Sequence, residues 1–255
     1  MNDNTEPNRL PRAVVLEGAS NVRDLGGWPS ARGGRVAYGR VFRAAALARL
    51  TEADRVGLAA LGLRTVCDFR GRKERARAPS RLDGLAGLEV RSIPIEPSIG
   101  ASLADILATR EATGEDVLDL LRRAYLSYAF DWAHCYRAVF DLILEPERLP
   151  LMFHCSAGKD RTGFAAALVL TALHVPWEAV VQDYLATNRL WRSDPELARE
   201  LPPSVAEKLL GVHAELLETA FDAMRRECGS VDRYLATVLG LDAARRERLR
   251  TLLIE

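Results

Sequence analysis

Residues 151–163 read LMFHCSAGKDRTG, and this stretch decides the fold. Leu151 to Cys155 is a short apolar run bounded by polar residues, the pattern of a buried strand. TGFAAALVLTALH, residues 162–174, is apolar over most of its length and reads as a buried helix. Between them lies a tight polar loop. A strand, a loop and a helix N-terminus in that order make an anion site. Loop amides point inward, the first-turn N–H groups lack intrahelical partners, and the helix dipole presents its positive end. The loop is not that of a nucleotide-binding site. Asp160 stands where the motif needs Ser or Thr after Gly158-Lys159, and Phe153 stands where it needs its upstream glycine.

A cysteine at the entrance and an arginine six positions on set this loop apart. The helix dipole and Arg161 both favour a thiolate over a thiol at Cys155. The guanidinium of Arg161 offers a planar fork that matches two oxygens of a phosphate. The intervening residues, Ser156 to Asp160, are enough to wrap backbone donors around the remaining oxygens. A thiolate beneath phosphorus, with donors around the equatorial oxygens, is the arrangement for in-line attack. Thr162 is expected to hydrogen-bond the cysteine sulfur and stabilise it as a leaving group.

Working outward, RTVCDF (64–69) and LEVRSIPI (88–95) read as strands. Thr51, followed by Glu52 and Asp54, starts a helix that Gly62 ends. Residues 115–144 carry the strongest helical signal, with Leu121, Tyr125, Tyr128, Trp132, Tyr136, Val139 and Ile143 on one face as core, until Pro146 and Pro150 break it. Residues 175–191 form a further helix, with Pro176 near its first turn. The remainder is helical in pieces, divided at Pro202-Pro203, Gly229 and Gly240. The fold class is therefore α/β, a small, mostly parallel central sheet flanked by helices, with a helical C-terminal half. Residues 1–12 are expected to be a flexible arm and 13–255 a single domain.

The chain has 255 residues, with Lys+Arg and Asp+Glu at 35 each, so the balance of charge speaks against nucleic acid as a partner. The apolar run 164–177, interrupted by Thr171 and His174, is too short for stable membrane insertion. Cys67, Cys135, Cys155 and Cys228 are too widely spaced for a structural zinc site. The polar start lacks a signal-peptide pattern, so the expected location is cytoplasmic, with export by other routes left open.

HCSAGKDRTG resembles the signature loop of the cysteine-dependent protein tyrosine phosphatase superfamily: His-Cys, five residues, Arg, then Ser or Thr. NVRDLGG (21–27), GRVFRAAAL (39–47), VCDFRGRKER (66–75) and GSVDRYLATVLGL (229–241) are similar to bacterial tyrosine phosphatases that also accept phosphoserine, phosphothreonine and phosphoinositides. The likeness is weakest over residues 95–130. It implies a tyrosine phosphatase-like fold, phosphoprotein and phosphoinositide substrates, a phosphocysteine intermediate at Cys155, phosphate binding by Arg161, and no metal or other cofactor.

Ser156, Ala157, Gly158, Lys159 and Thr162 line the expected substrate pocket, with His154 supporting loop and thiolate from beneath. Asn21 to Asp24 and Arg43 are carried over by the resemblance as a polar scaffold at the pocket, Arg43 counted with the substrate-binding residues. Two aspartates are candidates for the general acid that protonates the leaving oxygen. Asp160, favoured, lies beside the phosphate, whose charge favours a carboxyl that keeps its proton, or it forms a salt bridge that orders Arg161 or Lys159. Asp68 ends a strand that could reach the same mouth, or it pairs with Arg70 or Arg43. Lys159 is expected at the rim as a flexible ammonium for a second phosphate. Residues 64–81 carry seven basic side chains against Asp68 and Glu74, a surplus able to steer anionic substrates. Cys67 either approaches Cys155 as a redox partner or is an inert buried thiol. Two other readings remain at this point: phosphate capture without turnover, and another cysteine-loop enzyme such as a sulfur transferase or arsenate reductase.

Overall fold

The computed structural model describes residues 12–96, 112–193 and 195–255. Its strands, β1 Arg23–Asp24, β2 Val41–Ala44, β3 Thr65–Asp68, β4 Glu89–Ser92 and β5 Leu151–His154, form a 5-stranded sheet in the order β1-β2-β5-β3-β4. β1 runs antiparallel to β2, and the other pairings are parallel. The mostly parallel sheet expected from the sequence is therefore present. β5 is central and flanked by parallel neighbours, so both its faces are buried, which is why it reads as an unbroken apolar run.

Alternation along the strands divides the interior. Val41, Cys67, Phe69, Leu151 and Phe153 enter the larger core. Phe42, Ala44, Val66 and Met152 enter the smaller one, with Leu16, Leu47, Leu50 and Leu58. This is the period of two that a pleated sheet imposes. β2, β3 and β5 all end at the same edge of the sheet, and the Cys155 loop leaves from there, where parallel sheets place their ligands.

The helices are α1 Glu52–Ala60, α2 Arg72–Arg77, α3 Gly114–Ala129, α4 Ala133–Ile143, α5 Asp160–Ala172, α6 Trp177–Leu185, α7 Thr187–Leu190, α8 Pro195–Glu200, α9 Pro203–Leu210, α10 Ala214–Cys228, α11 Val231–Thr237 and α12 Ala243–Leu253. α1 starts as expected, in a capping box between Thr51 and Asp54. The C-terminal part is helical.

Three expectations need correction. The helix read over 115–144 is two helices: α3 ends at a cap on Phe130, and α4 starts after Trp132. Both halves face the same core, so the apolar spacing survives a break that no Gly or Pro marks. The helix read over 175–191 is likewise α6 followed by α7. β1 and β2 were not expected as strands, because Arg23 and Arg43 interrupt their apolar pattern. Both arginines are 0% exposed, and their partners come from distant segments. The arm expected over 1–12 lies outside the described residues except for Arg12, and 97–111 within the weakly matching stretch also lie outside them.

Candidate active site

Cys155 follows β5 directly and is 2% exposed, while α5 begins at Asp160, so its free N–H groups face the loop between them. The loop is tight because Gly158 takes φ of 65°. A Cβ there would lie 2.3 Å from the carbonyl oxygen of Ala44, so the approach of loop to β2 also requires glycine.

A buried polar layer holds the loop from beneath. The Gly158 carbonyl accepts from Asn21 Nδ2 at 2.7 Å and from Arg43 Nη2 at 2.8 Å. Binding these carbonyls on the underside leaves loop N–H groups to face the pocket. Arg43 Nη1 reaches Asp183 Oδ2 at 2.7 Å, and Arg23 Nε reaches Asp183 Oδ1 at 3.0 Å. Burial opposes the charge of Asp183, but the two arginines outweigh it and hold the carboxyl below its ordinary range. Desolvation and the neighbouring Arg43 bring Arg23 down to about 10. Arg43, expected with the substrate-binding residues, is fully buried and touches the underside of the loop. It is a positioning residue.

Arg161 ends on Glu74 of α2: Nη1 donates to Oε2 at 2.8 Å and Nη2 to Oε1 at 2.9 Å. Nη1 also reaches the carbonyls of Phe69 at 3.3 Å and Ile95 at 3.2 Å. Ser156 Oγ donates to the same Glu74 Oε1 at 2.5 Å. Burial opposes ionisation of Glu74, but Arg161, Ser156 and the Gly71 amide overcome it and bring the carboxyl down to about 2. Glu74 thus orients Arg161 and Ser156, the residue after Cys155, together. Sequence reading had counted it only as a countercharge. The available signal was its place three residues after Gly71, where its Oε2 caps α2.

The two aspartates have different environments. Asp68 is buried and engaged by Arg70, with Nη2 at 2.7 Å and Nε at 2.9 Å from its oxygens. Burial opposes its charge, but the hydrogen bonds and charge of Arg70 prevail and its carboxyl lies below the ordinary range. A carboxylate held ionised carries no proton to donate, so the arrangement is the pairing with Arg70 that the sequence left open. Asp160 instead opens the first turn of α5 and is partly exposed. Its Oδ1 accepts from the buried Tyr125 hydroxyl at 3.2 Å, which is 2.6 Å from the Tyr184 hydroxyl.

His154 is fully buried below the loop, with Nδ1 3.1 Å from the Cys155 carbonyl oxygen. A carbonyl only accepts, so Nδ1 bears the proton. Burial lowers the proton affinity of the ring against the pull of Asp68, and the imidazole is neutral. Thr162 is buried, and its hydroxyl has no partner among the described residues; the expected bond to the Cys155 sulfur is not made. Lys159 differs most from expectation. It is 4% exposed, and Nζ donates to the Leu209 carbonyl at 2.5 Å, lies 3.6 Å from Asp160 Oδ2 and sits over the Trp191 ring. Its ammonium is turned inward because α9 ends where its stem can reach the unpaired carbonyl. Ala157 contributes its carbonyl to Asn21 Nδ2 at 3.3 Å. Burial pushes the Cys67 thiol up to about 12, which leaves it protonated and inert.

A strand-loop-helix anion cradle with a cysteine at its base and an oriented arginine defines a cysteine-dependent phosphatase. The family model and the curated relatives agree. The tyrosine phosphatase family matches residues 14–255, and the chain belongs to it. It is 34% identical over 240 residues to a putative tyrosine-protein phosphatase of Cupriavidus necator, covering 91% of this chain and 85% of that one. It is 31% identical over 278 residues to the triple specificity protein phosphatase PtpB of Mycobacterium tuberculosis, covering 94% of this chain and 98% of the relative. Among solved structures, the core catalytic domain of a PP-IP phosphatase of S. cerevisiae aligns with a TM-score of 0.41 at 11% identity, covering 88% of this chain and 97% of that one. Family membership sets aside the sulfur transferase, arsenate reductase and binding-only readings. No helix among the described residues is long and apolar enough to cross a membrane.

Proposed function

We propose that residues 13–255 form one phosphatase domain that hydrolyses phosphotyrosine, and also phosphoserine, phosphothreonine and phosphoinositides, through a phosphocysteine at Cys155. The observation that carries this reading is the Arg161 guanidinium fixed by Glu74 at the far end of the loop that Cys155 opens. With both terminal nitrogens on Glu74, the fork is held in one orientation, with Nε free of any protein acceptor among those contacts.

The Cys155 sulfur attacks phosphorus, and the P–O bond to the leaving group breaks. The departing oxygen takes the proton of Asp160. Arg161 and the loop N–H groups hold the equatorial oxygens throughout. Water then attacks the phosphocysteine, Asp160 accepts its proton, and phosphate leaves with the thiolate restored. His154, donating to the Cys155 carbonyl, and the Asn21-Arg43 layer keep the loop in place.

The phosphoinositide part of the reading is supported by the exposed Arg72, Lys73, Arg77 and Arg81 beside the site. A cytoplasmic place of action suits a nucleophile that must stay reduced. Turnover of p-nitrophenyl phosphate tests the reading: wild-type protein releases phosphate and Cys155→Ser protein does not. Equal activity of the two would overturn it.

A further inference from the structure

A cleft of about 440 Å³ runs along the flank of the Cys155 loop, and its wall includes Ser156. The Ala46 amide, also on that wall, donates to the Ser156 carbonyl at 3.0 Å, so cleft and catalytic loop share a boundary. Residues 17–20 and 191–193 also line the cleft. The first of these segments is fixed by Asp54, whose carboxylate accepts from the amides of Glu17 and Gly18, each at 2.7 Å. Gly18 lies so close to the next segment that a Cβ would sit 1.8 Å from the Arg49 carbonyl oxygen. The shape is therefore set by hydrogen bonds to the buried Asp54 carboxylate and by backbone contact.

Two cations border the cleft. Arg192 is engaged: Nη2 donates to the carbonyls of Leu16 at 3.0 Å, Glu17 at 2.8 Å and Ala19 at 2.8 Å. Arg49 is exposed, and among the described residues nothing holds its guanidinium. Ser20 and Ser193 add hydroxyls, Trp191 adds a ring, and Glu17 adds one negative charge. The volume is within the range of about 300–1,000 Å³ usual for small-molecule sites. An unengaged fork suits phosphate, and hydroxyls suit a hydroxylated ring.

We propose that this cleft is a subsite for a second phosphate, carried on the same polyol headgroup as the phosphomonoester over Cys155, with Arg49 as its cation. The inference rests on the phosphatase reading above and extends it to a particular substrate class, the multiply phosphorylated inositol headgroup. Glu17 opposes that binding by charge, so the two side chains act in opposite directions.

The test compares kcat/KM for a soluble short-chain phosphatidylinositol bisphosphate and the corresponding monophosphate. It uses wild type, Arg49→Ala and Glu17→Gln, and repeats the pair in phosphatidylcholine vesicles. The bis-to-mono ratio is expected to fall about tenfold in Arg49→Ala, the loss of one charge-assisted contact, and to rise in Glu17→Gln, in both formats. An unchanged ratio overturns the proposal. So does a change seen only in vesicles, which assigns Arg49 to the bilayer surface, or a larger loss on an acidic phosphotyrosine peptide. Wild-type protein that hydrolyses p-nitrophenyl phosphate but no bisphosphate overturns the subsite and leaves the phosphatase reading standing. Titration calorimetry of inositol bisphosphate into Cys155→Ser protein reads the subsite without turnover. Binding weakened by Arg49→Ala supports it even if phosphatase activity is absent, and binding indifferent to Arg49 overturns it.

Discussion

The carboxylate of Glu74 spans both terminal nitrogens of Arg161, at 2.8 and 2.9 Å, across 87 residues of sequence. The pair joins α2, which leaves the end of β3, to the helix that follows β5. It is the link through which the sheet aims the Arg161 guanidinium. Removing its charge while keeping its shape is expected to let the guanidinium swing. Glu74→Gln should lower kcat/KM for p-nitrophenyl phosphate by about ten- to hundredfold, the worth of a bidentate charge-assisted contact of roughly 1.5–3 kcal/mol. Vanadate affinity should weaken in parallel. Unchanged vanadate affinity would show that Arg161 needs no such guide.

The same residue gives acid sensitivity a sign. Its carboxyl titrates at about 2 in the folded protein against an ordinary 4.5. A depressed folded value means that its contribution to stability is complete above pH 4.5 and is lost as pH falls towards 2. The melting temperature of wild type should therefore drop across that window, and that of Glu74→Gln should drop less. Parallel curves for the two proteins would contradict this.

Asp160 and Tyr125 should act as one unit in proton donation. Asp160→Asn is expected to slow an aryl phosphate with a poor leaving group more than an activated one, because only the poor leaving group needs the proton. Tyr125→Phe should show the same leaving-group pattern to a smaller degree. It should add little in the Asp160→Asn background, as judged by a double-mutant cycle. Equal slowing of both substrates by Asp160→Asn would remove it as the acid.

Asp183 is 1% exposed and answers two buried arginines. Asp183→Ala leaves both charges unpaired and is expected to cost about 3–5 kcal/mol of stability, measured by urea unfolding. A loss under about 1 kcal/mol would mean that water replaces the carboxylate readily.

Much of this site was legible in the sequence because its chemistry is contiguous. Cys155, Arg161 and Asp160 lie within one strand-loop-helix unit whose apolar runs announce their own elements. What was hidden depends on contacts between distant segments. Arg23 and Arg43 enter the sequence reading only through the resemblance, as a polar scaffold at the pocket, and no local pattern shows that Asp183, on α6, lies between them. Glu74 reads as one charge in a basic run until α2 folds over the loop. Lys159 was misread because the carbonyl that captures it belongs to Leu209, 50 residues away, and no local pattern reports that meeting. The break at residues 130–132 was invisible for another reason: both halves of the helical stripe keep the same apolar spacing and the same core.

The central claim is that the Cys155 sulfur carries the phosphoryl group. Acid quench of a reaction with a fast aryl phosphate, followed by peptide mass analysis, tests it most directly. The account predicts one added phosphoryl mass on the peptide containing Cys155, absent in Cys155→Ser and accumulating further in Asp160→Asn, where hydrolysis of the intermediate lacks its base. A protein that turns over the substrate while the label is found on another residue, or on none, would contradict it.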